Sequence, residues 1–154
     1  MATRFIETED DRKLLMAYVA QQKLPFGITI ERGRKRSADQ NRLQRLWVKE
    51  IADQIEDQMA EEIRGLCKLQ FGVPILRHEN EAFAQKYDRF VKPLPYEQKL
   101  AFMMEPLDMP VTRIMTSKQK SAYLDAIHRH YSAMGIILTD PGDALADADQ
   151  RRAA

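Results

Sequence analysis

Between Ser37 and Gln58 the apolar residues Leu43, Trp47, Ile51 and Ile55 recur at four-residue steps, with Leu46, Val48 and Met59 flanking the row. Ser37 and Gln40 open this stretch with the S-x-x-Q pattern of a capping box. The spacing predicts one long amphipathic helix from Ala38 to about Gln58, and any fold for this chain must cover its apolar stripe. Each helical residue turns ~100°, which places Leu43, Ile51 and Ile55 within roughly 80° of Trp47. The same turn places Arg42, Arg45 and Lys49 within roughly 40° of the opposite direction.

The charges along this helix are distributed unevenly. From Arg32 to Lys49 seven cations (Arg32, Arg34, Lys35, Arg36, Arg42, Arg45 and Lys49) face a single acid, Asp39. From Glu50 to Glu62 six acids (Glu50, Asp53, Glu56, Asp57, Glu61 and Glu62) follow with no cation. The formal net charge of +1 hides this polarity. Cations near a helix N-terminus oppose the macrodipole by ~0.3–1 kcal/mol each, and like charges at i,i+3 and i,i+4 repel mildly. A face arranged for helix stability alone would reverse the order. An external polyanion rewards it, because helix N-terminal N–H groups and clustered Arg and Lys both attract phosphate. The competing reading is an ordinary solvated helix face.

The rest of the chain reads as helices with a few short strands. Thr8 ahead of Glu9, Asp10 and Asp11 predicts a helix start, and Leu14, Leu15, Tyr18 and Val19 continue it to about Lys23, before Pro25. Alternation over Phe26–Ile30 predicts a strand. A helical stretch over Ala60–Gln70 follows the long helix directly or after a bend near Met59, and Gly72 and Pro74 are expected to end it. Val73–Leu76, Val111–Met115 and Ile136–Leu138 are further strand candidates. Helices are expected over Asn80–Val91, over Tyr96–Glu105 between fixed proline turns, and over Ser117–Ala133. This last helix is opened by a second capping box, Thr116 and Gln119, and closed by Gly135 at C′. The fold class is therefore α/β (α+β): a helix-rich single domain over residues 1–139, with a few short strands and a long central amphipathic helix. After Asp140 the chain turns small and polar, which predicts a flexible tail over 140–154.

The second capped helix repeats the basic theme, with Arg113 before it and Lys118 and Lys120 in its first turn. Ser117 and Lys118 are placed to hold a phosphate. Lys120, beside the apolar stripe, is placed either to extend the basic track or to snorkel past that stripe. Trp47, Tyr123 and Tyr131 lie on apolar stripes and read as core, although aromatics near basic residues also serve as base-stacking platforms. Gln40 points with Trp47 and reads as structural; Asn41, at the edge of the stripe, is open.

Catalytic chemistry finds no support. His128 and His130 lie about 200° apart on one helix and cannot share a metal. His78 is isolated, and Cys67 sits alone in an apolar helical stretch, where it reads as a buried small residue. No phosphate-binding glycine loop, nucleophile elbow or metal-type Cys/His spacing occurs. The expectation is a protein that is no enzyme, with no catalytic residue, cofactor or metal. A composition of 44% hydrophobic residues excludes disorder over the whole chain. No run approaches the ~18 apolar residues of a membrane span, and MATRFIETEDD is too acidic for a signal peptide, so a cytoplasmic location with no membrane contact is expected.

Several motifs together resemble one family. Arg36-Ser37-Ala38-Asp39-Gln40-Asn41, with Trp47 six residues on, resembles the R-S-x-x-Q-N…W core of the NinB (Orf) family of phage recombination proteins. Lys68–Leu76 (KLQFGVPIL), Met109-Pro110-Val111-Thr112 and Met115–Leu124 (MTSKQKSAYL) fit that family's pattern in the same order, over roughly residues 26 to 140. The resemblance implies a homodimeric mixed α/β protein of a temperate phage. It would act as a recombination mediator that binds single-stranded DNA or DNA with single-stranded extensions, engages the host single-strand-binding protein, and helps recombinase load. The family motif covers Arg36, Ser37, Gln40, Asn41, Trp47, Lys118, Gln119 and Lys120 without saying which of them touch DNA. Charge geometry assigns DNA contact to Arg34, Lys35, Arg36, Arg42, Arg45, Lys49, Arg113, Lys118 and Lys120. The alternative is an adaptor that docks on single-strand-binding protein or a replication factor, its basic face receiving an acidic peptide and no DNA.

Overall fold

The computed structural model describes residues 4–30 and 35–143, without the side chains of residues 35–37. The chain falls into two compact units, residues 1–35 and 36–154. Arg34, and residues 144–154 of the expected tail, lie outside the described residues.

The first unit carries helix α1, Glu9–Gln21. Thr8 caps it as expected: its hydroxyl accepts from the Asp11 N–H at 3.1 Å, and the Asp11 carboxylate accepts from the Thr8 and Glu7 N–H groups. These backbone donors hold the Asp11 carboxyl below its ordinary range. No residue of α1 is buried, and Leu14, Met16, Leu24, Ile28 and Ile30 are all exposed.

The second unit is built on α2, Lys35–Gln54, the long helix announced by the four-residue apolar steps. It starts earlier than expected, so Ser37 lies inside the helix and not at its N-cap position, and it ends at Gln54, short of the expected Gln58, leaving Ile55 just past the helix end. After a turn, α3 (Ala60–Cys67) runs through a π-helical turn (Lys68–Gly72) into α4 (Val73–Glu79). Then come α5 (Glu81–Phe90), capped by the Asn80 side chain, and α6 (Tyr96–Met103). A 3₁₀ turn over Thr112–Ile114 leads to α7, Ser117–Ala133. The Thr116/Gln119 capping box forms with both bonds, and Gly135 takes a φ of 85° just past the helix end.

The expected α/β class does not hold: the described residues contain helices and no strand. Each strand candidate fails for its own reason. Val73–Leu76 stays helical because the π turn widens the helix just ahead of Pro74, which enters α4 in its first turn, where a missing N–H is tolerated. Gly72 and Pro74 therefore do not end the helix. Val111–Met115 curls into the 3₁₀ turn. Phe26–Ile30 takes no regular secondary structure and forms no sheet among the described residues. Ile136–Leu138 also forms no strand, and side chains of α2 take the place of a strand partner. Gln54 exchanges two hydrogen bonds with the Ile137 backbone, at 2.8 and 2.9 Å, as a neighbouring strand would. Glu50 accepts from the Thr139 N–H and hydroxyl, and the Trp47 indole donates to the Thr139 carbonyl at 2.8 Å.

The core has two parts. Trp47, Val48 and Ile51 of α2 pack with Ile63 and Cys67 of α3, with Tyr123, Leu124, Ile127 and Tyr131 of α7, and with Ile136. Val73, Leu76, Tyr87, Met103 and Val111 form the other, and Met115 lies against both. Burial pushes the Cys67 thiol up to about 12, so it packs as a small apolar group and not as a nucleophile. The Tyr123 hydroxyl is buried with no hydrogen-bond partner among the described residues.

Two glycines of the α3–α4 run mark close approaches, and they should respond differently to a methyl group. A Cβ on Gly72 would lie 2.5 Å from Cγ1 of Val111, a stiff β-branched side chain that is 1% exposed. A Cβ on Gly65 would lie 2.6 Å from Cγ of Met104, part of a flexible, half-buried side chain. Gly72→Ala is expected to lower stability by about 1–3 kcal/mol. Gly65→Ala is expected to cost less than Gly72→Ala, because the half-buried Met104 side chain can swing aside and a helical alanine recovers about 0.5–1 kcal/mol of backbone entropy. Urea unfolding of both variants checks this; equal losses would refute the contrast.

Candidate nucleic-acid interface

Two polar segments far apart in sequence meet where α2 begins and α7 begins. Gln40, in the early turns of α2, donates through Nε2 to the Ser117 carbonyl at 3.1 Å and to the Ser121 hydroxyl at 2.8 Å. Its neighbour Asn41 accepts at Oδ1 from Lys120 Nζ at 2.9 Å. Adjacent helical residues point ~100° apart, so the Gln-Asn pair grips the first turns of α7 from two directions. Gln40 is structural, as its place beside Trp47 suggested, but it ties two helices together and caps neither. Asn41, left open by the sequence, acquires a defined partner.

The junction borders a cavity of about 360 Å³, lined by Gln40, Asn41, Thr112, Arg113, Met115, Thr116, Ser117 and Lys120. Lys120 is only 6% exposed. Burial, with a smaller contribution from the Arg45 charge, pushes its ammonium down to about 8. Arg45 stands one turn beyond Asn41, the partner of Lys120, on α2. Asn41, Arg45 and Lys49 stand at four-residue steps on α2 and form one row leading away from the cavity.

The basic residues singled out from the sequence are therefore not equivalent. Arg45, Lys49, Arg113 and Lys118 are exposed and make no ion pair among the described residues. Three of them follow the row and the cavity rim. Lys118 is two residues from Lys120, about 200° around α7, and points away from the cavity. Arg42 bonds Asp39 at 2.9 Å, so part of its charge is spent within α2. Lys120 neither snorkels nor lies on the surface; it is buried against Asn41. The side chains of Lys35 and Arg36, and the whole of Arg34, are outside the described residues.

No protein-family model, curated protein or solved structure matches the chain. The likeness to the NinB family rests on the quoted motifs alone, and the mixed α/β architecture it implied is replaced by helices among the described residues.

The remaining candidates have structural surroundings. Trp47, Tyr123 and Tyr131 are buried, which leaves none of them available for stacking on a base. His128 lies against Trp47 with ring centroids 5.3 Å apart, and His130 lies against Phe71 at 5.2 Å. Among the described residues no group of His, Cys, Asp or Glu is arranged to hold a metal, and no helix is long and apolar enough to cross a membrane. Of the acids after Lys49, Glu50 anchors Thr139, while Glu61 binds Arg64 and the Glu105 N–H. Sequence reasoning missed the Asn41–Lys120 pairing. Its signal was present as a polar residue at the edge of one apolar stripe and a lysine at the edge of another.

Proposed function

We propose that this protein binds single-stranded DNA with little sequence preference, along the row Arg45–Lys49 and the cavity rim at Arg113. The observation that carries the reading is a set of exposed cations without carboxylate partners among the described residues, beside a junction that holds a further, buried cation. Phosphate contacts of this kind position a strand without reading its bases, and the burial of the nearby aromatics fits low base selectivity. The motif resemblance supports a wider role as a recombination mediator. It would act as a homodimer in the cytoplasm of a phage host, helping recombinase load on strands covered by the host single-strand-binding protein.

A salt series with a fluorescent oligonucleotide tests this. Each neutralised phosphate contributes about −0.7 to the slope of log affinity against log salt for single strands. The triple variant Arg45→Ala, Lys49→Ala, Arg113→Ala is expected to lose about two units of that slope, three contacts at roughly 0.7 each. It should melt at the parent temperature, because these side chains are exposed and make no ion pair among the described residues. A flat salt dependence refutes the reading. So does binding of an isolated acidic peptide with no binding of the oligonucleotide, which would mark a protein-docking adaptor.

A further inference from the structure

Lys120 occupies a position where a charge is costly. Its side chain is 6% exposed, and its one hydrogen-bond acceptor among the described residues is the neutral Asn41 Oδ1. An ammonium has three donors, so this bond leaves donors unused. No carboxylate pairs with it among the described residues; the charge that acts on it, Arg45, is a cation, and so is Arg113, which lines the same cavity. A buried cation without a counter-charge is unfavourable, and further cations nearby deepen the cost. The sequence offers an obvious remedy, a methionine of similar length, and does not use it. Lys120 instead lines a cavity that Arg113 and Thr116 line as well. The N-terminus of α7, a helix of 17 residues, opens at the same place, so its first-turn N–H groups add positive potential there.

We propose that this cavity is the seat of one phosphate group, held by the Lys120 ammonium at its base, the Arg113 guanidinium at its rim and the first turn of α7. In the complex with DNA that group is a phosphate of the bound strand, so this part of the inference rests on the reading above. The seat itself does not, because an inorganic phosphate ion carries the same chemistry. Filling it supplies the missing counter-charge and occupies the unused donors of Lys120.

Thermal unfolding in chloride and in inorganic phosphate, at constant ionic strength, provides the test on the parent and on Lys120→Met. At roughly ten times its dissociation constant, phosphate should raise the parent Tm by about 3–6 °C. Lys120→Met should melt at or above the parent in chloride, since an uncompensated charge has been removed, and should show only the general effect of an excluded anion. Equal responses of the two proteins overturn the proposal, as does a fall in Tm on substitution with no phosphate response in the parent. Should the variant fail to fold, titration of the parent decides: the Asn41 side-chain amide resonances must shift and saturate with phosphate, and constant resonances overturn the seat. The two readings fail separately. A phosphate response without oligonucleotide binding keeps the seat and sinks the DNA-binding reading. Oligonucleotide binding without a phosphate response sinks the seat alone.

Discussion

Trp47→Ala is expected to cost about 3–5 kcal/mol, the range for deleting a large aromatic from a packed interior. Trp47 is 2% exposed between α2, α3 and α7, and its indole N–H holds the Thr139 carbonyl. The truncation removes both the packing and the tie that fixes Ile136–Thr139 against α2. Trp47→Phe separates the two contributions. It keeps most of the ring and leaves the Thr139 carbonyl without its donor, for a loss of about 1–3 kcal/mol. Urea unfolding of both variants gives the magnitudes. The same residue is the chain's single tryptophan, so its fluorescence tests whether the indole meets DNA. Because the ring is buried, oligonucleotide binding should leave its emission nearly unchanged. Strong quenching on binding would mean that the indole stacks on a base, contrary to its burial in the core.

The second large effect concerns Asp108, whose carboxylate accepts from Lys68 Nζ at 2.7 Å and from Arg64 at 2.8 Å. Lys68 is 2% exposed and also donates to the Met103 carbonyl, so this cluster staples α3 and the π turn to the loop after α6. The Lys68 ammonium holds the Asp108 carboxyl below the usual carboxylate range, and Arg64 does the same for Glu61. Lys68 itself is pushed down, because burial outweighs the attraction of Asp108. The pair therefore fixes geometry more than it adds stability. Asp108→Asn keeps a residue that tolerates the observed φ of 45° and removes the charge. It should cost about 2–4 kcal/mol, somewhat below the loss for a fully enclosed pair, since the Asp108 side chain is 40% exposed. Adding Lys68→Met should recover most of that loss, because the stranded charge is gone. A double variant less stable than Asp108→Asn would contradict this account.

The pH dependence follows from the same directions. Asp108 and Glu61 have lower pKa values folded than unfolded, so the folded state binds fewer protons than the unfolded chain around and below pH ~4. Their stabilisation is fully present above that value and is lost as the pH falls through the folded values. Asp108→Asn should therefore show a shallower loss of stability in acid than the parent. Identical acid profiles would mean that other carboxylates carry the effect.

Periodicity made most of the helices legible. The stripe from Leu43 to Ile55 gave α2, the Thr116/Gln119 box and Gly135 gave both ends of α7, and Thr8 gave the start of α1. All of these are encoded by residues within a few positions of one another. Short apolar runs misled for the opposite reason. Whether Ile136–Leu138 pairs with a strand depends on what lies beside it, and there Gln54, Glu50 and Trp47 do the pairing, from more than eighty positions away. Pro74 and Gly72 looked like terminators, but a π turn absorbs the proline, and the glycine is needed where Val111 presses close.

The candidate site divides along the same line. The sequence by itself determined that the first half of α2 is basic and that Trp47, Tyr123 and Tyr131 belong to the core, because charge order and helical spacing are local properties. Only the tertiary structure decided which cations remain available. It paired Arg42 with Asp39, turned Lys118 away from the cavity, and buried Lys120 against Asn41 with the Arg45 charge nearby. Burial and charge compensation depend on neighbours brought together by folding, and no one-dimensional pattern records them.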